Sequence, residues 1–263
     1  MADVECLALL GLGWLVVTVL MTSLWFVQRA RDDADVVDVG WAAGLGLLAV
    51  LYALIGDGAP AYRVLLAVLA GLWSVRLALF VYVNRVRGKD EDGRYQTLRA
   101  RWGDQAQSRF MVFFQAEGFL DVLLSLPFVV VVNIDVRELT IWAYVAIGLW
   151  VIAVAGETTA DRQLAAFRAD PANRGTTCRR GLWRYSRHPN YFFEWLYWWT
   201  YVLIAIGNTF WWATLVGPAL MAFFLFKVTG IPATEAQAVA SRGDDYRDYQ
   251  RTTSAFVPWP PKQ

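Results

Sequence analysis

The residues best equipped for chemistry lie in one stretch, Gly181-Leu182-Trp183-Arg184-Tyr185-Ser186-Arg187-His188-Pro189-Asn190-Tyr191-Phe192-Phe193-Glu194. It holds the only histidine of the chain, two arginines, an asparagine and a carboxylate. It stands where a charged segment passes into an aromatic, apolar one. Polar groups are expensive at such a boundary and usually have a task there. Pro189 suits the first turn of a helix, where its missing N–H is not needed. On that helix Asn190 and Glu194 face the same way and could hold an amide head group such as a carboxamide. The plainer reading is a helix start with a carboxylate favoured by the positive helix end.

Three further sets carry polar chemistry. Asp161 and Arg168, with Gln163 and Arg174 nearby, share nearly one helix face at a spacing of seven. A guanidinium fork matches phosphate oxygens, and a carboxylate beside it orients the fork or binds a ribose hydroxyl. Asp38 lies within an apolar run, where a carboxylic acid kept neutral could donate a hydrogen bond to a carbonyl; as an interfacial residue it could instead pair with Arg31. Trp73 and Arg76 share a face of the next run. Arg76 must turn to the protein interior or a wet cavity, with Asp38 or a phosphate as its natural partner. Asn84 and Arg85 follow, and Glu91-Asp92-Gly93-Arg94-Tyr95 reads as a polar loop, structural or a lid. The tail, with Arg247 and Arg251 among its tyrosines and Phe256-Val257-Pro258-Trp259 beyond, is either a solvated helix or a segment docked over the site.

The elements that must position these groups are membrane helices. The chain of 263 residues is 57% apolar and 18% charged, and its charges fall in blocks between long apolar runs. A crossing needs roughly 20 apolar residues. Seven spans are expected, at 6–27, 36–56, 59–83, 118–132, 139–155 (running on as helix toward 167), 191–206 and 210–228. The first lacks a basic leader and is expected to be a membrane helix. The second carries Gly40 and Gly44 at the small-xxx-small spacing that lets helices approach closely. With the amino terminus outside, 21 of the 24 Lys and Arg fall on the inner side. That places 84–115, 157–190 and the tail from 230 in the cytosol. Three basic segments on one side suit a polyanionic ligand, although topology alone also keeps positive loops inside.

Several classes drop out. One histidine and two distant cysteines, Cys6 and Cys178, give no metal spacing and no disulfide framework. There is no basic stripe for nucleic acid. No dinucleotide fingerprint, phosphate-binding P-loop or serine elbow is present, so any nucleotide is bound by some other architecture.

The motif Gly-Leu-Trp-Arg-Tyr-Ser-Arg-His-Pro-Asn-Tyr-Phe-x-Glu resembles the steroid 5-alpha-reductase family, in its bacterial membrane branch. Asp161-Arg162-Gln163-Leu164 with Arg168, Val37-Asp38-Val39-Gly40-Trp41, and the Tyr-x-x-Tyr and Phe-x-Pro-Trp of the tail extend the likeness over roughly the whole chain. The resemblance implies an all-α, seven-helix membrane fold that binds NADPH from the cytosolic side and reduces the carbon–carbon double bond of an apolar enone. Hydride goes to the β carbon while an acid polarises the ketone. By motif, Asn190 and Glu194 hold the nicotinamide, and Asp161 and Arg168 meet the adenosine and phosphate part. Arg184, Tyr185, Arg187 and His188 meet ribose or phosphates, with Arg76, Asn84, Arg174, Arg247 and Arg251 completing the cofactor set. Asp38 falls where the family places a carboxylate on the substrate ketone, and Trp73 where animal members have a tyrosine. Trp73 is a departure, since indole N–H donates a hydrogen bond but is no proton source. Asp38 then has to carry more of the activation, with Trp41, one turn on, as a second donor. Phe193 also departs, from a glycine.

The expected architecture is a single membrane-embedded domain over 1–263, with substrate-side helices at roughly 6–83 and the cofactor half at roughly 84–263. The expected setting is a bacterial inner membrane with the cofactor site facing the cytoplasm, and no obligatory protein partner. An S-adenosylmethionine-dependent methyltransferase of the isoprenylcysteine or phospholipid type is the competing enzyme. It needs no clamp for a 2′-phosphate, and so fewer converging arginines. A non-enzymatic lipid carrier would bind no nucleotide.

Overall fold

The apolar blocks fold into helices, and no strand occurs among the described residues, which are 2–228 and 230–262 of a computed structural model. The elements are α1 (Ala2–Arg31), α2 (Val36–Ile55), α3 (Pro60–Val81), α4 (Gly93–Trp102), α5 (Ala106–Leu124) and α6 (Leu126–Val132). They continue with α7 (Ile141–Ala169), α8 (Pro189–Ala205), α9 (Val216–Phe223), α10 (Ile231–Arg242) and α11 (Asp244–Thr252). Single π turns extend α3 over Tyr82–Val86 and α9 over Phe224–Val228.

Among the described residues, six helical stretches are long and apolar enough to cross a membrane, namely Cys6–Arg31, Val36–Ile55, Pro60–Val86, Gly93–Val132, Ile141–Ala169 and Trp211–Arg242. The chain is therefore built as a multi-pass membrane protein. The expected span at 191–206 corresponds to α8, whose 17 residues are fewer than those of any of the six. The segment 84–115, in which Glu91–Tyr95 was expected as a polar loop, is largely helical. Asp92 caps α4 by accepting the Arg94 N–H at 2.9 Å, and good helix formers follow it. Leu7, Leu15, Val64, Leu72, Ile141 and Ile152 stay exposed, which carries no penalty against lipid tails as apolar as themselves.

The chain forms two compact units. The first comprises Met1–Thr140 and Gly207–Val216, the second Ile141–Ile206 and Gly217–Gln263. Asn84, Arg85 and α4–α6 thus fall in the unit that holds Asp38. Within the first unit α2 lies along α3, and α1 along α5. A buried cluster of Met21, Val37, Tyr95, Phe110 and Phe114 ties the start of α2 to α4 and α5. Within the second, α7 packs along α8, whose Tyr197, Trp198 and Tyr201 are fully buried.

Candidate functional site

In the second unit the motif is fastened to α7. Gly181 adopts φ 58°, and a Cβ there would stand 2.3 Å from the Gln163 side chain. Glycine is required at that conformation and that clearance. Gln163 accepts the Leu182 N–H at 2.9 Å, and the Trp183 indole donates to the Ala160 carbonyl at 2.9 Å. The turn Gly181–Arg184 is thereby set against α7, and Pro189 opens α8. Asn190 then donates to Asp161 Oδ1 at 3.3 Å. Asp161 is buried, and Asn190 and Glu194 are half-buried on successive turns of α8. The structure thus brings Asp161 to the Asn190 end of the expected carboxamide pair.

Beside this lies a cavity of about 170 Å³ whose wall includes Arg168, Asn173, Arg174, Thr176, Cys178 and Arg242. Arg168 and Arg174 come together here, joined by Arg242 at the end of α10, which sequence reasoning had passed over. The Arg242 guanidinium also lies 4.8 Å from the Tyr246 ring. Burial pushes the Cys178 thiol up in spite of the Arg180 backbone N–H and the charges of Arg180, Arg168 and Arg242. The wall therefore offers positive charge without a thiolate. Arginine forks with amide and hydroxyl donors are the groups that hold a phosphate ester.

The tail docks onto the motif. Arg187 Nε donates to Glu235 Oε1 at 2.6 Å, and its Nη1 donates to the carbonyls of Gln250 and Thr253 at 3.0 and 2.6 Å. His188 Nε2 lies 3.2 Å from the same Glu235 oxygen, and Gln250 donates to Oε2 at 2.7 Å. Tyr249 donates to the carbonyls of Trp183 and Ser186. Ser186 Oγ donates to Phe256 O at 2.7 Å, and the Trp259 N–H to Tyr185 O at 2.9 Å. Arg187 and His188, expected on ribose or phosphate, are thus engaged by Glu235 and tail carbonyls. Arg247 and Arg251 form pairs with Asp244 and Asp248 at 2.8 and 3.1 Å on the open face of α11. Arg184 and Tyr185 are exposed. Arg179 bridges Asp245 and Asp248 at 2.9 and 2.8 Å. Burial acts upward on Asp245, but the Thr177 and Arg179 hydrogen bonds outweigh it and hold the carboxyl below its ordinary range.

In the first unit Asp38 is an acceptor on every side that the described residues define. Arg85 Nη1 and Arg94 Nη2 donate to Oδ2 at 3.1 and 3.2 Å, and the Tyr95 hydroxyl donates to Oδ1 at 2.7 Å. The expectation that Asp38 presents its own O–H to a ketone meets a geometry in which three donors converge on the carboxyl group. Tyr95 is the O–H of the set. It was read as part of a polar loop, but it lies in the first turn of α4, buried against Phe110 and Phe113. An Asp cap followed by helix formers was the signal for that turn. The segment before it is pinned. Arg99 pairs with Glu91 and Asp32, each at 2.7 Å. Glu91 accepts the Ala34 N–H at 2.8 Å, and the Asp92 N–H donates to Asp35 Oδ2 at 3.0 Å. Trp41 and Trp73 meet edge to face, 6.3 Å between ring centroids, with Trp73 fully buried. Arg76 is half-buried one turn along α3 from Trp73. Asn84 is exposed, and its amide donates back to Phe80 O at 2.8 Å on its own helix.

A family model described as "Protein of unknown function (DUF1295)" matches residues 24–253. No curated protein and no solved structure matches the chain.

Proposed function

The chain belongs to the DUF1295 family, and for this member we propose NADPH-dependent reduction of the carbon–carbon double bond of an apolar enone, of which a 3-oxo-Δ4 steroid is the model case. The observation that carries the reading is the cavity where Arg168, Arg174 and Arg242 converge with Asn173 and Thr176. That donor set fits a phosphorylated dinucleotide, whose 2′-phosphate supplies charge for the additional guanidinium. Asp161, Asn190 and Glu194 continue the same unit toward the nicotinamide amide. Bound there, NADPH supplies the hydride.

The chain's own part is binding and proton handling. Arginines hold the phosphates, and the Tyr95 phenol turns its single O–H from Asp38 Oδ1 to the ketone oxygen and donates the proton there. Asp38 is the positioning partner that orients this phenol, and Arg85 and Arg94 fix Asp38. Trp41 and Trp73 supply an apolar wall for the substrate. The likeness to steroid 5-alpha-reductases supports the same assignment, together with seven crossings, an outer amino terminus and a cofactor side facing the cytoplasm of a bacterial inner membrane.

Thermal-shift titration in detergent against NADPH, NADH and S-adenosylmethionine tests the reading, because a bound ligand raises stability by mass action. NADPH is expected to shift the melting temperature most. A shift with S-adenosylmethionine and none with NADPH would replace the reductase by a methyltransferase, and a shift with none of the three would leave a non-enzymatic protein.

A further inference from the structure

Helix α5 carries two acids where a membrane helix should carry none. Glu117 and Asp121 lie one turn apart on one face, and Ser125 follows a turn later at the end of the helix. Asp121 is fully buried, and neither of its carboxyl oxygens has a hydrogen-bond partner among the described residues. It is aimed at α2, where a Cβ on Gly44 would stand 2.3 Å from Oδ2. The Gly40 and Gly44 spacing therefore makes room for a carboxyl group as well as for close helix packing. The α1 side of this contact is apolar: Leu20 faces Gly44, and Val17 and Met21 face Gly118.

The acid pair is not isolated. Asp121 interacts electrostatically with Glu117, and Glu117 with Asp38 and Arg94. Glu117 also acts on Tyr95. Beyond Asp121, Ser125 Oγ lies 3.3 Å from the Tyr52 hydroxyl of α2. Titratable and hydroxyl side chains thus follow one face of α5 from the Tyr95–Asp38 pair inward. An ionised carboxylate without a partner is costly in such surroundings, whereas a neutral acid is tolerated. Packing alone gives no reason to retain it, since an apolar residue would fill the same space without that cost.

We propose that Glu117 and Asp121 form a proton relay that recharges the Tyr95 phenol. The proposal rests on the reductase reading for the step that consumes the proton. Reduction of an enone takes up one hydride, from the nicotinamide, and one proton. The Tyr95 O–H bond breaks as its proton passes to the ketone oxygen, leaving a phenolate. The Glu117 carboxyl O–H breaks and the phenol O–H reforms. Asp121 then passes its proton to the Glu117 carboxylate, and the pair takes one proton back from water at Glu117, its half-buried member.

The relay itself can be seen without turnover. Infrared difference spectra of the detergent-solubilised protein in H2O and D2O are expected to show an exchangeable protonated-carboxyl band that is lost in Asp121→Asn. Absence of that band in the wild type overturns the relay, whatever the fate of the reductase reading. In turnover, Asp121→Asn and Glu117→Gln are expected to lower kcat about tenfold or more, increasingly toward high pH, with the NADPH KM unchanged. Glu117→Asp is expected to recover part of the loss. Should Asp121→Asn not fold, Glu117→Gln carries the kinetic arm, because Glu117 is only half-buried. Wild-type kcat across the pH range in a folded variant overturns the relay. A missing NADPH thermal shift with the carboxyl band present removes the reductase reading instead.

Discussion

Tyr95 donates its phenolic hydrogen to Asp38 Oδ1 at 2.7 Å, across 57 positions of sequence. The pair unites the start of α2 with the first turn of α4. In the proposed reaction this phenol is the proton source that Trp73, at the position expected for a tyrosine, cannot be. Tyr95→Phe is expected to lower kcat by about 10²–10⁴-fold, the range for loss of a general acid. The NADPH-induced thermal shift should stay as in the wild type. Unaltered turnover of an enone by the phenylalanine variant would take the phenol out of the mechanism.

Arg242 closes the arginine cavity from α10. A hydrogen bond to a charged group contributes about 1.5–3 kcal/mol, so Arg242→Ala should weaken NADPH binding by roughly ten- to a hundredfold. NADH, which lacks the 2′-phosphate, should lose little. Fluorescence titration of both nucleotides checks this, and an equal loss for the two would move the phosphate site elsewhere.

Glu235 accepts from Arg187, Gln250 and the His188 ring. Arg187 and Glu235 are only 11% and 14% exposed, so removing the acceptor strands a nearly buried guanidinium. Breaking such a pair costs about 3 kcal/mol or more. Glu235→Ala is expected to lower the melting temperature and to open 244–262 to proteolysis. Arg251→Ala, on an exposed pair worth roughly 0–1 kcal/mol, should do neither.

Asp35 gives a pH dependence of known sign. Burial, with the charges of Asp33, Asp38 and Asp92 added, pushes it up from 3.8 to about 6 against the opposing Asp92 N–H. Between those values the folded protein keeps a proton that the unfolded chain has released. Stability therefore falls as pH rises through that window, and the loss is complete above it. Asp35→Asn preserves the acceptor for Asp92 and should be the more stable protein at about pH 7, the gain shrinking on acidification through the same window. Melting curves of both proteins across pH read this directly. Asp245 works in the opposite direction, since its lowered range keeps its contribution until the pH falls further.

Much of this was legible before folding, but not evenly. Asn190 and Glu194 on one face of α8, and Trp73 and Arg76 on one face of α3, follow from helical period alone. Pro189 marked the start of α8, and the docked tail was one of two stated possibilities. The extent of α4 and α5 was missed because Glu91–Tyr95 read as a polar loop, although Asp92 was a cap followed by helix formers. The roles of Arg187 and His188 were read from their motif, while their carboxylate partner, Glu235, lies nearly fifty positions away.

By itself the sequence determined that this is an all-helical, multi-pass membrane protein and which residues share a helix face. Apolar run length and the 3.6-residue period are local properties that any stretch of chain carries with it. Only the tertiary structure decided which faces meet. It set Tyr95 on Asp38, Glu235 on Arg187, Asp121 against Gly44, and Arg242 beside Arg168 and Arg174. Those partners depend on how one helix is rotated and shifted against the next. Side-chain packing fixes both, and no periodicity within either helix records them.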